Sequence, residues 1–231
     1  MKIAGLVRSS LIDYPGKIAA IVFTQGCNFR CAFCHNPDLI PLENKQLNIP
    51  EQEVIDFLKT RVGKLDGVVI TGGEPLIQKD IEGFIGKIKK LGFSVKIDTN
   101  GSNPLILETL IKKKMVDYIA MDIKGTYGKY EDICAYPNKN VIQRSIDIIK
   151  NCGLPYEFRT TVLPMFHEQQ DFHEVGEMIR GAKLYTIQGF RPQITLDPEL
   201  ATAKSFTELQ LQEIAATISP YVEKVVIHPN L

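Results

Sequence analysis

Residues 18–37, IAAIVFTQGCNFRCAFCHNP, join an unbroken apolar run to a loop with three cysteines in eight positions. The run 18–24 reads as a short strand covered on both faces, because apolar residues occupy consecutive rather than alternate positions. Its end is marked by Gln25-Gly26, and the chemistry begins immediately afterwards, at Cys27. The same order recurs along the chain. Short β-branched runs at 67–70, 94–98, 118–122, 156–162, 185–190 and 224–227 read as strands. Between them, 51–62, 81–90, 141–150, 172–180 and 208–218 space their apolar residues as helices, and Asn103-Pro104 caps a further helix with Leu107, Leu110 and Ile111 inward.

Seven strands alternating with helices imply parallel β/α winding. A closed eight-fold barrel usually takes about 250 residues. This chain has 231 and spends part of its first crossover on the cysteine loop. The expectation is therefore an α/β fold, an open, partial TIM-like barrel of about six β/α units, forming a single domain over 1–231. The alternative is a flat doubly wound sheet. Both place functional residues at the C-terminal ends of strands, and the unusual residues fall there. The cysteine loop 25–37 follows the first strand, TGGEP (71–75) the second, DTNG (98–101) the third and MDIKG (121–125) the fourth. Arg159 lies within the fifth strand, and FRPQ (190–193) follows the sixth.

Composition sets the outer bounds. The chain is 44% hydrophobic and 23% charged, with 27 basic and 27 acidic residues. A balanced charge gives no sign of a nucleic-acid or anionic-membrane partner. Arg8, Asp13 and Lys17 interrupt the N-terminal apolar runs, so neither a signal peptide nor a membrane span is read there. The expected location is the cytoplasm. In a reducing compartment, five cysteines with three crowded together favour metal binding over disulfides.

The spacing Cys27-x3-Cys31-x2-Cys34 admits three readings. Structural zinc wants four protein ligands, and His35, adjacent to Cys34, is a poor fourth. An electron-transfer cubane also usually takes four cysteines. In the third reading the missing ligand is the purpose, because an open iron can bind an amine and a carboxylate of a small molecule. Cys134 and Cys152 read as ordinary semi-buried thiols. His167 and His173 read as surface or capping residues, and His228 receives no role. Lys112–Lys114 read as a solvated helix end.

The cysteine spacing, with Phe33 before the last cysteine, resembles the signature of radical S-adenosylmethionine (SAM) enzymes, and GGEP at 72–75 resembles their glycine-rich motif. Asp13-Tyr14-Pro15-Gly16, Gln25-Gly26-Cys27, Cys34-His35-Asn36-Pro37, DTNG and MDIK are similar to the glycyl-radical-enzyme activating branch. The wording of residues 10–37 looks most like activators of anaerobic ribonucleoside-triphosphate reductase. The resemblance implies a barrel of the radical SAM type and a 4Fe–4S cluster on Cys27, Cys31 and Cys34. It implies SAM contacts from Phe33, His35, Gly72, Gly73, Glu74, Asp98, Asp122, Ile123, Lys124, Arg159 and Gln193, where some relatives place a histidine instead of Gln193. It further implies a monovalent cation between Asp98 and Asp122, a low-potential electron donor such as flavodoxin or ferredoxin, and a glycyl radical enzyme as partner, with Asp13 facing its glycine loop. The implied activity is reductive cleavage of SAM to a 5′-deoxyadenosyl radical, which abstracts a glycine Cα hydrogen. The rivals are a radical SAM enzyme acting on a small molecule, as deazapurine synthases do, and a non-catalytic metal-binding or electron-transfer protein.

Overall fold

The computed structural model describes residues 1–42 and 48–229. The chain divides into two compact units, Met1–Asn28 with Asp38–Ile119, and Phe29–Pro37 with Ala120 onward. The division falls inside the cysteine loop, so Cys27 belongs to the first unit and Cys31 and Cys34 to the second.

The first unit opens with β1 (Ile3–Ser10), which pairs antiparallel with β2 (Ala19–Thr24). Then follow α1 (Glu51–Lys59), β3 (Gly67–Gly72), α2 (Ile81–Lys90), β4 (Ser94–Thr99) and α3 (Pro104–Lys112). β2, β3 and β4 run parallel, with Ala20 opposite Val68 and Val68 opposite Val95. Ala19, Ala20, Ile21 and Val22 are all buried, as are Val68, Val69 and Ile70. That is the two-sided burial of a sheet with helices over its faces. α2 turns Ile81, Phe84, Ile85 and Ile88 inward. At α3 the Asn103 side chain accepts from Ile106 N–H, and Pro104 fills the first helical position, where no backbone donor is needed.

β5 (Tyr118–Asp122) starts in the first unit and ends in the second. The second unit continues with α4 (Tyr130–Cys134), α5 (Lys139–Asn151), β6 (Tyr156–Val162), α6 (Asp171–Met178), β7 (Tyr185–Gly189), α7 (Glu208–Ile218) and β8 (Val225–His228). β6, β7 and β8 run parallel. Asn138 caps α5, and Thr207 with Gln210 forms a capping box at α7.

The strand order follows the chain from β1 to β8, with β1 and β8 at its two ends. A doubly wound sheet reverses its order at a switch point. This one does not, and the winding is that of an open barrel-type α/β fold, as the sequence predicts. Two elements were not anticipated. β1 carries Gly5, Arg8 and two serines, and its register shifts twice against β2. An antiparallel first strand with an exposed stretch shows no apolar run to find. α4 has only five residues, too few for helical spacing to register. Among the described residues, no helix is long and apolar enough to cross a membrane.

Candidate active site

In the first unit, the loops after β2 and β3 are tied to each other by backbone. Gly26 N donates to Leu39 O at 2.7 Å and Cys27 N to Ile40 O at 3.0 Å. Gly73 N donates to Thr24 O at 2.9 Å and Glu74 N to Gly26 O at 2.8 Å. This approach leaves no space for side chains. A Cβ on Gly73 would stand 2.1 Å from Gly26 O, and one on Gly72, at φ +113°, 2.4 Å from Thr24 N. The glycines of the GGEP motif are thus required by loop contact within this unit.

Glu74 is fully buried. Its Oε1 accepts from Leu76 N at 3.0 Å and Thr99 Oγ1 at 2.7 Å, and its Oε2 from Asn100 N at 2.6 Å. One carboxylate therefore closes the turn after β3 and fixes the end of β4. Asn100, positioned by that bond, points its amide to Cys27 Sγ at 3.9 Å and to Asn28 Oδ1 at 3.1 Å. Asp98 lies 2.6 Å from the Lys96 ammonium.

In the second unit the cysteine loop lies along the end of α4. Arg30 N donates to Cys134 O at 2.9 Å, Ala32 N to Ile133 O at 3.4 Å and Cys34 N to Cys31 O at 3.0 Å. Cys134 is fully buried, and its Sγ donates to Tyr130 O at 3.0 Å. Interaction with the Cys134 thiol, helped by the Lys124 ammonium and opposed by burial, lowers the Cys31 thiol. Burial pushes Cys34 up. Cys134 is fully rather than half buried, and its carbonyl holds the cysteine loop through Arg30 N, a contact that separation in sequence hides.

Asp122 accepts from Arg159 Nε at 2.9 Å and from Lys124 Nζ at 3.2 Å. Burial raises its carboxyl, but Arg159 and then Lys124 outweigh burial and hold it at about 2. Burial likewise pulls Lys124 down, and Asp122 more than reverses this, so the ammonium stays charged. Ile123 is buried, and its N–H donates to Arg159 O at 2.7 Å. His35 Nε2 lies 3.1 Å from Arg191 O, and its ring stacks on Phe190. Phe33 is buried beside Phe166. Gln193 is exposed.

His167 corrects a second expectation. It is 1% exposed, not a surface residue. Leu163 N donates to its Nδ1 at 3.1 Å, and its Nε2 lies 2.9 Å from Lys124 O, an arrangement the neutral ring satisfies at both nitrogens. Burial lowers its pKa. His173 is exposed, as are Lys112, Lys113 and Lys114.

The radical SAM superfamily model matches residues 21–180. A relative from Methanocaldococcus jannaschii, provisionally named a glycyl-radical enzyme activating enzyme, is 37% identical over 97% of this chain and 95% of its own. A pyruvate formate-lyase-activating enzyme from Streptococcus mutans is 28% identical over 79% of this chain and 74% of its own. Among solved structures, a radical SAM methyltransferase from Sphaerobacter thermophilus superposes with a TM-score of 0.73 at 13% identity, covering 99% of this chain and 77% of that one. The chain therefore belongs to the radical SAM superfamily, in its glycyl-radical-enzyme activating branch. That membership makes it an enzyme and implies a 4Fe–4S cluster and SAM.

The donor set suits such a cluster. Iron takes thiolates, and Cys31 is lowered toward that form. Cys27 receives an amide N–H, the kind of outer hydrogen bond that tunes cluster sulfur. Among the described residues no three His, Cys, Asp or Glu side chains converge on a single-ion site.

Two outcomes follow. Glu74→Gln places an amide donor among N–H and O–H donors, and a urea titration should show about 2 kcal/mol of lost stability. His167, with its folded pKa below the unfolded value of about 6.5, adds stability that is complete above that pH and lost as pH falls toward the folded pKa. Between about pH 7.5 and 5.5 the urea midpoint of the native chain should therefore fall further than that of His167→Gln.

Proposed function

We propose that this chain activates a glycyl radical enzyme, anaerobic ribonucleoside-triphosphate reductase, and works as one radical SAM domain over 1–231. The observation that carries the reading is the loop Cys27-x3-Cys31-x2-Cys34. It offers three thiolate ligands and leaves one iron of a cubane for a small molecule. The name of the Methanocaldococcus relative supports the activating role. The choice of reductase rests on the wording of residues 10–37.

When bound, the reduced cluster and SAM supply a 5′-deoxyadenosyl radical that takes hydrogen from the partner's glycine Cα. The protein's own part is to hold, orient and exclude. Cys27, Cys31 and Cys34 ligate the cluster. Phe33, His35, Gly72 and Gly73 contact SAM, the glycines through backbone that no side chain obstructs. Asp122, Ile123 and Lys124 face the nucleoside and carboxylate side of SAM. Arg159 takes part there while it anchors Asp122, and Gln193 contributes a hydrogen bond where a titrating residue is not required. Asp98 contacts SAM. Glu74 acts by fixing the loops, since its carboxylate oxygens are engaged by Leu76, Thr99 and Asn100. Asp13 meets the partner's glycine loop. Electrons arrive from a low-potential donor such as flavodoxin or ferredoxin, in the cytoplasm.

The test is electron paramagnetic resonance of the reconstituted, reduced chain with SAM and an anaerobic ribonucleotide reductase from the same source. A glycyl radical on the reductase that disappears with Cys31→Ala is expected. Accumulating 5′-deoxyadenosine without that signal would favour a small-molecule substrate and overturn the choice of partner.

A further inference from the structure

Lys96 lies in the middle of β4 and is 2% exposed. Lysine seldom sits this deep, because taking an ammonium out of water is costly unless it is paired. Its partner is Asp98, two residues on and on the same face of the strand, with Nζ 2.6 Å from Oδ1. The ammonium also lies 5.8 Å from the centre of the Tyr118 ring, within range of a cation–π contact. An apolar pair at these positions would satisfy stability at least as well, so stability alone does not account for the ions.

Both carboxylates that the family resemblance assigns to a monovalent cation already hold a side-chain cation. Asp98 has Lys96, and Asp122 has Arg159 and Lys124. A potassium or sodium ion on Asp98 would share one carboxylate with an ammonium of the same sign, which is repulsive in a poorly solvated site.

We propose that Lys96 is the built-in counter-cation of Asp98, a positioning residue that lets this enzyme bind SAM without a monovalent metal ion. The inference rests on the reading above that Asp98 belongs to the SAM site. Lys96 neutralises the aspartate and holds its carboxylate in one orientation, the work that a site without this lysine leaves to a dissolved ion.

The experiment uses the full chain with its cluster reconstituted and reduced. SAM affinity is read from the change in the cluster's electron paramagnetic resonance spectrum, in potassium, sodium or tetramethylammonium buffers of equal ionic strength. The native chain should bind SAM equally in all three. Lys96→Gln should bind at least about tenfold more weakly in tetramethylammonium and recover in potassium, while Lys96→Arg stays within about threefold of native. Potassium tightening SAM binding to the native chain would overturn the proposal. So would a Lys96→Gln chain that binds as the native one does in every buffer. If Lys96→Gln fails to fold, the native cation series and Lys96→Arg still decide. A native chain whose cluster ignores SAM in all buffers would overturn the SAM-site reading itself, and this inference with it.

Discussion

The buried carboxylate of Glu74 is the constraint on which the first unit's strand-end loops depend. Its own N–H reaches Gly26 O, and its side chain takes Leu76 N–H, Thr99 O–H and Asn100 N–H. A buried carboxylate is costly unless its lone pairs are satisfied. Here satisfaction requires the loops after β2, β3 and β4 to adopt one mutual arrangement. The glycines at 72 and 73 make that arrangement sterically possible, and the carboxylate makes it unique. Through Asn100 it extends to the sulfur of Cys27.

The second unit meets a similar need with charge. Asp122, Lys124 and Arg159 form one ionic group, and Lys124 also presents its carbonyl to His167 and its N–H to Tyr130 O–H. Tyr130 opens the helix whose last residue, Cys134, accepts at its carbonyl from Arg30 N of the cysteine loop. The turn after β5 and the cysteine loop are thus braced by the same short helix. Groups with fixed partners reorganise little when charge moves, which suits electron delivery to a bound sulfonium.

The alternation of strands and helices was legible because a parallel sheet writes its strands as continuous apolar runs. The runs at β2, β5 and β6 could be bounded to within a residue, while β1, exposed along one stretch and irregular, left no such trace. Where chemistry and chain order coincide, as in the three cysteines and in DTNG and MDIK, a candidate site could be read from the sequence alone. It was illegible wherever contact is made across the fold. Cys134 is a hundred residues from Cys31 in the chain. His167 lies on a turn that reads as surface. Lys96 is a charged residue whose neighbours Val95 and Ile97 are apolar, a misfit visible in SVKID whose partner only the folded chain identifies. Glu74 was legible as a motif residue, but its task of tying loops together belongs to the folded chain alone.

The central claim is that three cysteines and this scaffold perform reductive SAM cleavage. The most direct measurement is quantification of 5′-deoxyadenosine and methionine released from SAM by the reconstituted chain under a strong reductant and strict anaerobiosis. The account predicts the two products in equal amounts, and neither from chains lacking any one of Cys27, Cys31 or Cys34. Intact SAM beside a verified, reduced cluster would contradict it.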